Sequence, residues 1–110
     1  MADRASDAIV VLITAPTREE AIRLADMLVG AHLAACVQIL PEMESVYRWQ
    51  GKIERAEEWL LLVKTTKASF EGVRDTIYEL HSYEVPECIS FSIENGGADY
   101  LQWIGESVGA

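Results

Sequence analysis

The feature that most constrains this chain is a pair of long strand-forming stretches hinged on Gln50-Gly51. Ala34 to Leu40 is largely apolar, Pro41-Glu42-Met43-Glu44 interrupts it, and Ser45-Val-Tyr-Arg-Trp49 carries the strand pattern onward. Gly51 supplies the conformational freedom of a tight turn, because glycine tolerates positive φ. Lys52 to Thr66 returns as the second arm and contains the apolar run Trp59-Leu-Leu-Leu-Val63. At roughly 3.3 Å per residue, arms of about sixteen residues could reach ~50 Å. A compact domain of this length has a radius of gyration near ~13 Å. The hairpin must therefore overhang its own subunit, carrying Tyr47, Trp49 and Ile53 at its tip. An apolar ribbon with open edges pairs readily with another chain, so self-association is expected.

The flanking sequence supplies two strand–helix units. Ala8-Ile-Val-Val-Leu-Ile-Thr-Ala15 is a continuous strand, ended by Pro16-Thr17. Thr17 and Glu20 form a capping-box signature, and Ala21, Leu24, Ala25, Leu28 and Val29 recur at helical spacing up to about Gly30. Thr66 is placed to cap a second helix with Phe70, Val73, Ile77 and Leu80 on one face, although Gly72 weakens it by ~1 kcal/mol. Val85-Pro86 opens a fourth strand, in which Ile89, Phe91 and Ile93 alternate with Cys88, Ser90 and Ser92. Leu101, Ile104 and Val108 predict a short terminal helix after Asn95-Gly96-Gly97. The order β-α-β-β-α-β predicts an α+β, ferredoxin-like sandwich with helices on one face of an antiparallel sheet, a long central hairpin and a short C-terminal helix. Residues 1–7 read as a flexible N-terminus and residues 8–110 as a single domain.

Charge excludes some partners. Nine Lys+Arg face 18 Asp+Glu, a net charge of −9, and no basic residue follows Arg74 while seven acids do. Such a surface repels nucleic acid and anionic membranes and attracts cations. No apolar run approaches the roughly 20 residues of a membrane span, and the polar start lacks a signal-peptide core, so a cytoplasmic location is expected. Cys36 and Cys88 are too few for a disulfide scaffold and read as free thiols. The chain carries no Gly-rich phosphate loop, nucleophile elbow or metalloprotease histidine pair, so neither catalysis nor an organic cofactor is expected. His32, placed near the end of the first helix, has no nucleophile beside it in sequence.

The segments Thr14-Ala-Pro16, Ala35-Cys-Val37, Tyr47-x-Trp49-x-Gly-Lys-Ile-Glu54, Leu61-Leu-Val-Lys-Thr65, His81-x-Tyr-Glu-Val-Pro-Glu87 and Tyr100-Leu-x-Trp-Ile104 occur in an order and spacing that resembles the CutA divalent-cation-tolerance family. The resemblance spans roughly residues 9 to 104 and implies a PII-like homotrimer associated with tolerance to divalent metals, copper above all. In copper-binding relatives it implies ligands from a cysteine on the first strand and two adjacent histidines ending the second helix. Here those positions hold Ile13 and Leu80-His81, and Ser82 stands where the family usually has proline.

His81 is the leading metal-ligand candidate for copper or zinc, with Glu84 close in sequence to supply oxygen. A single histidine without a second nitrogen or sulfur ligand is a poor specific site, so the favoured reading is a histidine interacting with the negative end of a helix. Cys36 could coordinate a soft ion, but its apolar neighbours suit an inert core thiol. Cys88 reads as a thiol on the sheet face opposite Ile89, packing between subunits. Tyr47, Trp49, Lys64, Tyr83 and Glu87 are candidates for an intersubunit cleft, either as a ligand pocket or as the polar set that fixes trimer register. Two functions follow: a cytosolic homotrimeric divalent-metal-binding protein of copper tolerance, or a PII-like trimeric sensor or scaffold taking a small ligand at such clefts.

Overall fold

The computed structural model describes residues 7–109, so all but the last residue of the expected N-terminal tail lie outside the described residues. Four strands form one antiparallel sheet in the order β2-β3-β1-β4, with β1 at Ala8–Ala15, β2 at Cys36–Trp49, β3 at Lys52–Thr66 and β4 at Cys88–Ser92. Helices α1 (Arg18–Gly30), α2 (Phe70–Leu80) and α3 (Ala98–Ser107) complete the α+β architecture, with a 3-10 turn at Lys67–Ser69. The principal extents are 49 × 25 × 23 Å, and the long axis matches the overhang expected of the hairpin. No helix among the described residues is long and apolar enough to cross a membrane.

Alternation along β1 divides the molecule into two faces. Ile9, Val11, Ile13 and Ala15 meet Leu61 and Val63 of β3, Leu24 and Leu28 of α1, and Val73 and Ile77 of α2 in one core. Burying each such aliphatic side chain contributes about 1.5–3 kcal/mol. Gly72 belongs to this packing, because a Cβ there would stand 2.7 Å from Leu33 Cδ2. The absent side chain lets the end of α1 approach α2.

The second face is apolar but largely uncovered. Leu12 lies between its cross-strand partners Leu62 and Ile89, and Val10 between Lys64 and Phe91. Ile89 and Phe91 are 48% and 54% exposed. Helix α3 covers only one end, where Leu101 and Ile104 pack on Ala8 with Ala35 and Ile93 around them. The helices are therefore not all on one face: α3 lies on the side opposite α1 and α2. Cys88 faces the α1–α2 core, so its expected place between subunits is corrected. Ile89 and Phe91 occupy the face available to a second copy.

Several boundaries move. Thr17 caps α1 as expected, with the Glu20 N–H donating to Thr17 Oγ1 at 3.1 Å. Thr66 precedes the 3-10 turn rather than α2, and its hydroxyl meets that of Ser69. His32 stands just beyond α1 at a φ of 59°. The fourth strand begins at Cys88, since Pro86 cannot donate to a ladder. Pro41–Glu44 does not break β2. Leu40 pairs with Leu60 and Met43 with Glu58, so one extra residue is absorbed as a β-bulge and pairing continues to Trp49–Lys52. Gln50 and Gly51 then turn the chain with φ of 49° and 81°, both positive as in the common two-residue hairpin turn.

Candidate functional site

Beside the hairpin a cavity of about 670 Å³ opens at the end of β1, closed on its other side by the segment between α2 and β4. The bulge decides which hairpin side chains reach it. Before the bulge, Val37 and Ile39 face the helix side. After it, Ser45, Tyr47 and Trp49 line the cavity together with Glu58 of β3. Thr14, Val46, Ser82, Tyr83, Glu84, Val85 and Glu87 complete the lining.

The floor is a hydrogen-bonded network centred on His81, the residue that ends α2. Its side chain is 0% exposed. Nε2 lies 2.6 Å from the Thr14 carbonyl oxygen, which can only accept. Nδ1 accepts from the Tyr83 backbone N–H at 2.9 Å. These two partners fix a neutral ring with its proton on Nε2. Glu20 Oε2 approaches Nδ1 at 3.4 Å and accepts from both the N–H and the hydroxyl of Ser82 at 3.0 Å. The Tyr83 ring packs 4.9 Å from that of His81, centroid to centroid, and its hydroxyl donates to Glu58 Oε2 at 3.0 Å. Glu20 is a site residue that capping logic misassigns. Its carboxylate serves Ser82 rather than the start of its own helix, and its spacing with Leu24 and Leu28 is the signal that it faces inward.

Negative charge dominates the cavity. Burial raises the Tyr83 hydroxyl well above the ordinary phenol value, and the hydrogen bond and charge of Glu58 raise it further. Burial likewise raises the Glu87 carboxyl, with the Glu58 charge adding to the effect. Glu58, Glu84 and Glu87 line the space, and none of its eleven lining residues is basic.

Five of the sequence candidates therefore converge: Tyr47, Trp49, Tyr83, Glu84 and Glu87. Lys64 does not join them within one chain. It pairs with Cys36 and Val10, four residues along β3 from the Leu60 that faces Thr14, or about 13 Å. Its ammonium donates instead to Gln38 Oε1. Cys36 shares that distant end and lies beside the Tyr100 hydroxyl. His81, Glu84 and Cys36 consequently form no common donor set. Among the described residues no group of three or more His, Cys, Asp or Glu side chains is placed to hold a metal ion. With both ring nitrogens of His81 engaged, one chain does not present a ready metal centre.

Cys88 yields a separate test. Burial pushes its thiol up to about 11, and the nearby Arg74 guanidinium offsets this only in part. The thiolate is the reactive species. Iodoacetamide labelling at pH 8 should therefore be roughly a hundredfold slower at Cys88 than in the urea-unfolded chain. Equal rates, measured by peptide mass spectrometry, would contradict that burial.

Comparison with known proteins agrees with this architecture. The family model for the CutA1 divalent ion tolerance protein matches residues 9–107. The divalent-cation tolerance protein CutA of Thermus thermophilus is 46% identical over 100 residues, covering 91% of this chain and 97% of that protein. The chloroplastic protein CutA of Arabidopsis thaliana is 42% identical over 99 residues, covering 90% of this chain and 54% of that one. Among solved structures, the Thermus thermophilus divalent cation tolerance protein superposes with a TM-score of 0.91 at 45% identity, covering 93% of this chain and 99% of the other. With the sequence match running through the hairpin, the cavity segment and α3, this chain belongs to the CutA1 divalent ion tolerance family.

Proposed function

We propose that this protein acts in divalent-cation tolerance, copper foremost, as a homotrimer in the cytosol, and that it works by binding rather than by catalysis. The observation that carries the assembly is the apolar second face of the sheet, with Leu12, Leu62, Ile89 and Phe91 side by side beneath an overhanging hairpin. An apolar face of that kind marks an interaction surface. Edge-to-edge pairing that repeats head to tail closes into a ring where the rotation from copy to copy is a third of a turn. The acidic surface, at a net charge of −9, suits cations and disfavours nucleic acid and membrane.

In this reading the cation contact is His81, with oxygen from Glu84 or from a neighbouring copy. Ligation at Nδ1 must displace the Tyr83 N–H, so binding is weak. Calorimetric titration with Cu(II) at moderate ionic strength tests it, comparing the parent with His81→Gln. The parent should bind one saturable equivalent per chain and the variant none. Equal binding by both would assign the metal to surface carboxylates and overturn the role of His81.

The cavity favours a second reading, a PII-like sensor or scaffold whose ligand sits among Tyr47, Trp49 and Tyr83. Pockets of this size suit small molecules, generally with an apolar lining and a few placed polar groups.

A further inference from the structure

We propose that the cavity between the hairpin and the α2–β4 segment is a binding site for a small organic cation, an ammonium group carrying a short apolar body. The inference rests on the second reading above and names the ligand class. Three aromatic side chains, Tyr47, Trp49 and Tyr83, and three carboxylates, Glu58, Glu84 and Glu87, line one space of about 670 Å³. That volume far exceeds the share of a single metal ion, and the carboxylates are not grouped as ligands to one. Aromatic faces carry the negative end of a ring quadrupole and attract ammonium groups within about 6 Å. An anion is repelled by those faces, and a neutral ligand gains only apolar contact from them.

Glu58 makes the argument specific. It is only 7% exposed, and its hydrogen-bond partner is the neutral Tyr83 hydroxyl. A carboxylate so nearly buried ordinarily pairs with a positive charge. None of the residues lining the cavity supplies one. Glu87 stands close enough for its carboxyl to feel the Glu58 charge. A bound cation would relieve that repulsion, while its alkyl body would lie against the exposed rings of Tyr47 and Trp49.

The test uses the full chain labelled with 5-fluorotryptophan, which places one fluorine at each of the three tryptophans. Trp49 lines the cavity, while Trp59 and Trp103 do not and serve as internal controls. Three probes of similar size are titrated: n-butyltrimethylammonium, n-pentanol and n-pentanoate. The ammonium should shift the Trp49 resonance saturably and leave the other two unmoved, while the alcohol and the carboxylate have no effect. Tyr47→Leu and Glu87→Gln should each weaken the ammonium about tenfold. An alcohol or carboxylate that shifts Trp49 as strongly would leave the ligand cavity standing and overturn the cation. If no probe moves Trp49, the ligand cavity itself fails. A response to the ammonium only after Arg48, Lys52 and Arg55 are replaced by Gln would mean a neighbouring copy's basic side chain already fills the space, and would overturn a free ligand. Sedimentation of the same sample reports assembly separately, so failure of the trimer does not register as failure of the site.

Discussion

Leu12→Glu should sediment as a folded monomer near 12.2 kDa, where the parent runs at about three times that mass. Leu12 sits at the centre of the uncovered sheet face, flanked across the strands by Leu62 and Ile89. Within one chain that position borders solvent, so the carboxylate stays hydrated and the α1–α2 core beneath is untouched. In an assembly that closes over this face, the same charge is buried without a partner. Such burial costs about 3–5 kcal/mol at each site. That is roughly a thousandfold in the association constant for one contact, and a closed ring multiplies it. Far-ultraviolet circular dichroism should remain close to the parent's. The parent should melt at a temperature that rises with protein concentration, and the variant should lose that dependence. A Leu12→Glu protein that still runs at the parent's mass would remove the open face from the interface.

His81→Ala should lower the stability of the fold by about 3–4 kcal/mol, a large share of the 5–15 kcal/mol typical of a domain. The substitution removes three things at once. The Thr14 carbonyl loses its buried donor, the Tyr83 N–H loses its acceptor, and the ring leaves a void beneath Tyr83. An unpaired buried polar group costs about 1–3 kcal/mol, and the two here are coupled through one ring. His81→Gln should recover part of the loss, because its amide can donate to Thr14. Urea unfolding measures both. A change below ~1 kcal/mol for His81→Ala would show that these bonds are readily replaced by water. Because His81 holds Tyr83 in place, the cation affinity of the cavity should fall in the same variant.

Much of the fold was legible because the signals were periodic. The apolar stripe of α1, the alternation in β4 and the turn at Gln50-Gly51 each follow from local chemistry, and their order fixes the topology. Elements that depend on distant partners were not legible. Gly72 reads as a weak point in a helix until Leu33 is seen to occupy the space its side chain would need. Glu20 reads as a helix cap until Ser82, 62 residues away, claims its carboxylate. His81 stands out in sequence because imidazole is a ligand. Only its surroundings, the Thr14 carbonyl on one nitrogen and the Tyr83 amide on the other, show that the ring already has work inside the chain. The cavity was half legible. Tyr47, Trp49, Tyr83, Glu84 and Glu87 could be named from their motifs, whereas Glu58 lay unmarked in a run of charged residues and Lys64 belongs to the other end of its strand.

The single extra residue between Leu40 and Met43 divides the hairpin into two segments of opposite parity. Residues paired across a ladder point to the same side. Up to Leu40 the even positions of β2 therefore share a face with Leu60 and Leu62, and from Met43 onward the odd positions share it with Glu58. Deleting the extra residue would leave Tyr47 opposite Glu54 and Trp49 opposite Lys52, so both rings should stay on the Glu58 side while the strand loses its local bend. The bulge thus lets one arm carry an apolar core stripe at odd positions near the helices and an aromatic lining at odd positions near the tip, on opposite faces of the sheet. Reach is a separate variable: adding two residues to each arm would lengthen the hairpin by about 7 Å and preserve the alternation.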